Sequence, residues 1–300
     1  MMRIALLFNG SRADTVGYYF LRACRQLGIA ADHWQVTEGP PAPPGYELYL
    51  RVDHGDDYLA PLPAHVRPRV FVVSDTHLPR SWKKIQRMAP HYDMMFCAQS
   101  VASGALPNGA WLPFGCDSAL HAPRAGPQTW DLAFVGTEGA APRKFILQAL
   151  RERYPNSYLS TARHDEMASI YSRARLGFNF SIANEINMRV FEVLATRTCL
   201  VTNALPAIEL SRLGLRPGEH FMMYHGLEQL FPAIDALLAD PARRGQLASA
   251  GFEAVTARHT YVHRIRQLLE ESARRGLINF PAIERPTSII NHQSSIENPS

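Results

Sequence analysis

Two charged side chains stand three residues apart in an otherwise apolar stretch, "NMRVFEVLATRTCLVTN" at 187–203: Arg189 and Glu192. With Asn187 as N-cap, both fall on adjacent turns of one helical face. A guanidinium there can clamp a phosphate through two parallel hydrogen bonds, and a carboxylate can accept from two ribose hydroxyls. The plain alternative is an i,i+3 ion pair worth roughly 0.2–0.5 kcal/mol. A second candidate is the loop "VGTEGAAPRK" at 135–144. Gly136 and Gly139 leave room for close backbone approach, and Arg143 and Lys144 stand where a helix begins. Backbone N–H groups, a helix dipole and a cation would then meet, which suits an anionic diphosphate. The spacing is neither G-x-G-x-x-G nor a Walker loop, so a tight turn with solvated basic residues reads equally well.

Further polar groups stand where strands end. "VVSDTH" closes with Asp75 and His77, which could act as a general base and its orienter. "NGSRAD" offers Gly10, Ser11, Arg12 and Asp14, and "RVDHGDD" offers Asp53, His54, Asp56 and Asp57. At each of these tips a helix cap or turn former is the competing reading. In "RHTYVHR", His259 and His263 are four residues apart, but no H-E-x-x-H pattern surrounds them. Packing of this helix start, with Tyr261 and Arg264, against the neighbouring lobe is expected rather than a metal site.

The elements that must position these groups follow a βα rhythm. "RIALLF", "YELYLRV", "RVFVVSD", "DMMFCAQ" and "AWLPFG" read as strands, "TVGYYFLRACRQLG" as a helix, and "SWKKIQRMAPHY" as a helix weakened by Pro90. "HAPRAGPQTWD" has two prolines, a glycine and no period, which marks a linker near residue 122. A second series follows it: strand "WDLAFVG", helix "PRKFILQALRERYP", strand "SYLST", helix "HDEMASIYSRA", strand "RLGFNFS", then the helix and strand of 187–203. Three helices come after, and the polar segment 276–300 reads as a tail. The expectation is α/β, with a first lobe over 1–122 and a second over 123–275, each on a largely parallel sheet.

Bulk properties agree. Of 300 residues, 46% are apolar and 19% charged, ordinary for a packed protein. The charge of +4 fits an anionic small ligand, while no basic strip with interleaved aromatics points to nucleic acid. No apolar run reaches the roughly 20 residues of a membrane helix. Cys24, Cys97, Cys116 and Cys199 are scattered among apolar neighbours without C-x-x-C spacing, as expected of reduced thiols in a cytoplasmic protein.

Taken in order, "VVSDTH", "FCAQ", "WLPFGCD", "DLAFVGT" with Arg143, "LGFNFS", "NMRVFEVLA" and "HTYVHR" resemble the CgeB-like (spore-maturation) glycosyltransferases. These belong to the glycosyltransferase family-4-like group with the GT-B fold. The resemblance runs from about residue 70 to 270. It implies two Rossmann-like domains facing a cleft, a nucleotide-sugar donor on the second lobe and a hydroxyl acceptor on the first. It also implies no metal or cofactor, because helix dipole and basic side chains stabilise the departing diphosphate. Carried over, Glu192 matches the ribose-holding glutamate, Arg189 the arginine before it, and Gly136, Thr137 and Arg143 the phosphate loop. Asp75 or His77 would deprotonate the acceptor in an inverting reaction. Two departures stand out. Many retaining relatives carry a glutamate eight positions before the ribose-binding one, where this chain has Asn184 followed by Glu185. The usual glycine after the helix is Arg197. A nucleotide-sugar epimerase or hydrolase, or a non-catalytic sugar-binding protein on the same fold, are the competing readings.

Overall fold

The computed structural model describes residues 2–36, 44–53, 61–139 and 141–280. His54, Asp56, Asp57 and the segment beyond 280 lie outside the described residues. The first lobe holds strands β1 (Arg3–Phe8), β2 (Ala30–Gln35), β3 (Leu48–Val52), β4 (Arg69–Val73), β5 (Met94–Cys97) and β6 (Gly109–Trp111), in the order β2-β1-β3-β4-β5-β6. Their connections run through helices α1 (Val16–Gln26), α2 (Pro79–Met88) and α3 (Ser100–Gly104). The second lobe holds β7 (Trp130–Val135), β8 (Ser157–Ser160), β9 (Ala174–Asn179), β10 (Cys199–Asn203) and β11 (Met222–Tyr224), ordered β11-β10-β9-β7-β8. Its helices are α4 (Arg143–Arg153), α5 (Met167–Ser172), α6 (Met188–Ala195), α7 (Ala207–Leu213), α8 (Leu227–Ala239) and α9 (Pro241–Arg258). All pairings between these strands are parallel.

Parallel strands covered on both faces read as unbroken apolar runs. β3 and β4 are buried at all five positions, and this is why "LYLRV" and "RVFVV" were legible as strands. Pro90 has the effect expected: α2 stops at Met88 and a single 3₁₀ turn carries the chain to β5.

One expectation is corrected. Helix α10 (Tyr261–Arg274) lies within the span 123–275 assigned to the second lobe, yet it is built into the core of the first. Its stripe of Ile265, Leu268 and Leu269 packs with Phe20 and Leu21 of α1, and Tyr261 stacks on Tyr19 with centroids 4.8 Å apart. The chain therefore crosses between lobes twice. The crossings touch: Cys116 accepts the Tyr261 N–H and donates its own N–H to the His259 carbonyl, both at 2.9 Å. His259 and Arg264 hold this junction. His259 Nε2 donates to the Leu213 carbonyl at 2.9 Å, and its Nδ1 accepts from the Arg264 guanidinium at 2.9 Å. Burial pushes the His259 imidazole down to about 3, so it stays neutral. "HTYVHR" is thus a packing segment between lobes, as its sequence implied.

The turn after α6 needs the left-handed region: Arg197 has φ 58°. A residue with a Cβ pays roughly 1 kcal/mol there. Arg197 is exposed, and its side chain donates to Ser249 Oγ at 3.1 Å and lies over the Phe252 ring. Arg197→Gly is therefore expected to stabilise the protein by roughly 0.5–1 kcal/mol, raising the melting temperature by a few degrees. A lower melting temperature would mean the surface contacts outweigh the backbone strain.

Candidate functional site

Each sheet reverses its strand order once: the first between β1 and β3, the second between β7 and β9. Ligands of open parallel sheets bind beyond the carboxyl ends of strands at such points. The first switch point opens onto a cavity between the lobes, which Glu185, Asn187 and Met188, just before Arg189, close from the second lobe.

On the second lobe, Arg189 bridges its switch point. Its Nε donates to the Val135 carbonyl at the end of β7, and its Nη1 to Asn179 Oδ1 at the end of β9, both at 3.1 Å. The guanidinium lies 4.3 Å over the Phe134 ring. Asn179 is fully buried and fixed in turn by donating to Thr202 Oγ1 at 3.0 Å. Gly136 makes this possible, since a Cβ there would stand 2.4 Å from Arg189 Nη2. Arg143 approaches the same ring at 5.9 Å from the start of α4, held by its Nε bond to the Glu138 carbonyl at 3.0 Å. Burial and the neighbouring Arg189 cation lower its pKa, while Glu185 raises it. Two cations thus sit side by side next to a helix N-terminus, an arrangement that repels itself until an anion arrives. Gly139, at φ 65°, lets Arg143 fold back over the loop, because a Cβ would meet its Nη2 at 2.4 Å. Thr137 is exposed on this loop, and Lys144 faces outward.

The ion pair between Arg189 and Glu192 that stood as the plain alternative does not form. Glu192 reaches instead toward the first lobe, where His121 Nε2 lies 3.9 Å from its Oε1. His121 Nδ1 accepts the Asp117 N–H at 3.0 Å, so its remaining proton sits on Nε2. Burial lowers His121 to about 4 and raises Glu192 to about 7, with Arg189 partly opposing the latter. A neutral imidazole facing a carboxylate is no ion pair, and among the described residues the Glu192 carboxylate receives no hydrogen bond. It is 7% exposed, at the inner end between the lobes. Asn187 takes the N-cap position of α6 but makes no capping bond, and its buried Oδ1 is without a partner among the described residues. That corrects the simple capping role expected of it.

The first lobe supplies the facing wall. A cavity of about 350 Å³ is lined by Arg12, Asp14, Asp53, Asp75 and His77 from the tips of β1, β3 and β4, with Glu185 and Asn187 opposite. Arg12 pairs with Asp14, and Asp53, almost fully buried, accepts the Ser74 N–H at 3.1 Å. Gly10 and Ser11 are taken up by local bonds to Gln35 and Asn9. Glu185 is clamped by Ser181 Oγ and the Ala183 N–H, both at 2.8 Å, and Asn184 beside it adopts φ 54°. Among the described residues no cluster of three or more His, Cys, Asp or Glu could hold a metal ion.

The structure therefore brings Gly136, Arg143 and Arg189 together, sets Glu192 one turn deeper, and places Asp75 and His77 across the cleft. Sequence reasoning missed Phe134, Asn179 and His121. Asn179 was detectable as an amide ending an apolar strand, whereas Phe134 looks like any core residue.

Residues 121–270, half of the chain, match the family model described as glycosyl transferase-like. No curated protein sequence matches the chain. Among solved structures, a sucrose-phosphate synthase from Thermosynechococcus elongatus is 13% identical with a TM-score of 0.62, covering 92% of this chain and 99% of its own. Anabaena HepE in complex with UDP and glucose is 12% identical with a TM-score of 0.59, covering 91% and 100%. The T4 phage BGT bound to its UDP-glucose substrate is 11% identical with a TM-score of 0.56, covering 93% and 100%. At these identities the likeness is one of fold, the GT-B architecture of two parallel-sheet lobes around a cleft.

Proposed function

The chain belongs to the glycosyl transferase-like family and is a glycosyltransferase; on that premise we propose that its cleft moves a sugar from a nucleoside-diphosphate sugar to a hydroxyl acceptor. The observation that carries this reading is Arg189, bonded across two strand ends at the switch point with Arg143 beside it. In the step, the acceptor oxygen forms a bond to the anomeric carbon. The bond from that carbon to the diphosphate oxygen breaks, and its electron pair leaves on the diphosphate. Arg143, Arg189 and the helix N–H groups stabilise the charge that develops there. Glu192 holds the ribose, and Gly136 and Thr137 line the phosphate loop. In an inverting course Asp75 or His77 takes the hydroxyl proton.

Within the family we place the chain beside the CgeB-like spore-maturation enzymes, on the ordered segments from "VVSDTH" to "HTYVHR". The four cysteines are buried and unpaired, which supports a cytoplasmic setting. Among the described residues no helix is long and apolar enough to cross a membrane.

The reading is tested by incubating the protein with uridine and guanosine diphosphate sugars, with and without hydroxyl acceptors, in EDTA. Acceptor-dependent release of the nucleoside diphosphate, unchanged by the chelator, is expected, because two arginines take the place of a divalent cation. Release or isomerisation without acceptor would mark a hydrolase or epimerase, and loss of release in EDTA would give the charge stabilisation to a metal.

A further inference from the structure

A second cavity, of about 610 Å³, adjoins the polar one and shares His77 and Glu185 with it. Its walls are of different chemistry. Val101, Ala102 and Ala105 of the first lobe face Pro206, Ala207 and Ile208 of the second, with Trp82 also lining it. Val101 and Ile208 are 84% and 69% exposed, an arrangement that leaves aliphatic surface in water until something covers it. Among these apolar walls sits an orphaned donor. Gln99 is 8% exposed, its Oε1 is taken by the Thr76 hydroxyl, and its Nε2 is buried with no partner among the described residues. At the border with the polar cavity, His77 Nδ1 is likewise buried without a partner among the described residues. Unpaired buried polar atoms in an otherwise apolar cavity are how a site fixes the orientation of a mostly apolar ligand.

We infer that the acceptor is a free small molecule with an apolar body and a hydroxyl end, and that a purely polar sugar is not the acceptor. This rests on the glycosyltransferase reading of the adjoining cleft. The body fills the Val101–Ile208 cavity, an acceptor group on it receives the Gln99 amide proton, and the hydroxyl emerges beside His77 and Asp75. The volume fits a body of two or three rings rather than a long lipid chain. Both lobes contribute walls, so the acceptor also ties the lobes together. Glu209, another lining residue, already does so by accepting the Ser100 N–H across the gap at 2.6 Å.

The test uses 2-naphthol as probe, followed by tryptophan fluorescence, against glucose and glycerol, with uridine and guanosine diphosphate titrated separately. Wild-type protein is expected to bind 2-naphthol with a Kd below about 1 mM and the two polar compounds not measurably. Ala105→Trp, which fills the cavity, and Val101→Asp are both surface changes. Each is expected to weaken 2-naphthol about tenfold or more while leaving nucleotide affinity unchanged. Absence of 2-naphthol binding, wild-type affinity retained in both variants, or preference for glucose would overturn the inference while nucleotide binding left the enzyme reading intact. Failure of every nucleotide to bind would instead strike the cleft reading itself. Sedimentation with phosphatidylglycerol vesicles separates a lipid source from a free one: no association is expected, and co-sedimentation would contradict the free acceptor.

Discussion

Arg189→Ala is expected to lower turnover at saturating donor and acceptor by roughly 10²–10³-fold, the cost of removing one charge-stabilising donor from a preorganised site. The effect is large because the side chain is held before any ligand arrives. Its two bonds at 3.1 Å and its seat over Phe134 fix the guanidinium plane, so no reorganisation is needed as the diphosphate charge develops. Arg189→Lys should fare little better than alanine. An ammonium cannot donate to the Val135 carbonyl and Asn179 together and still present a flat cationic face. Removing the side chain also strips donors from two acceptors at the strand ends, so a stability loss on the order of 1–3 kcal/mol, seen as a fall in melting temperature, accompanies it. A variant that keeps near wild-type turnover would take Arg189 out of the chemistry and leave it as a brace between β7 and β9.

Glu192→Gln is expected to stabilise the ligand-free protein at alkaline pH while weakening nucleotide binding. Burial raises the folded carboxyl from 4.5 to about 7. For a folded pKa above its unfolded value, the favourable contribution is complete below about pH 4.5 and lost as pH rises through 7. Wild type and variant should therefore be close in stability at pH 5 or below and diverge up to pH 8, by as much as roughly 3 kcal/mol and several degrees in melting temperature. A carboxylate kept buried without hydrogen bonds at a stability cost is understandable if a ligand supplies them. The amide can accept from two hydroxyls less strongly than the carboxylate, so affinity for nucleoside diphosphate should fall tenfold or more, and Glu192→Ala should abolish it. Thermal melts at pH 5 and 8 and calorimetric titration read the two effects separately. An equal stability difference at both pH values, or unchanged affinity, would remove Glu192 from the ribose role.

The central strands and the candidate residues at their tips were readable because a parallel sheet buries both faces, leaving runs such as "RVFVV" that end abruptly in polar groups. Of the four edge strands, β6 and β8 were read but β2 and β11 were not. β2 is only half-buried along "AADHWQ", and β11 is three residues long, too short for a period to show. Helices α3 and α7 are short, and their contribution to the second cavity arises only when the lobes face each other. The placement of α10 was hidden for a different reason. Its apolar stripe shows that it packs, but not on which lobe, and only the paired crossings at Cys116 and Thr260 direct it back to α1. Arg189 and Glu192 do stand on one helix, yet their spacing gave no hint that Asn179 and the Val135 carbonyl would claim the arginine. Partners 10 and 54 residues away are set by strand order, not by helical period.

Calorimetric titration of uridine and guanosine diphosphate into the wild-type protein and into Arg143→Ala/Arg189→Ala bears most directly on the cationic rim of the second lobe. Saturable one-to-one binding of at least one nucleotide by the wild type, lost in the double variant, is the result that the Phe134-seated arginine pair predicts. No heat from either nucleotide, or equal affinity with both guanidinium groups removed, would contradict it.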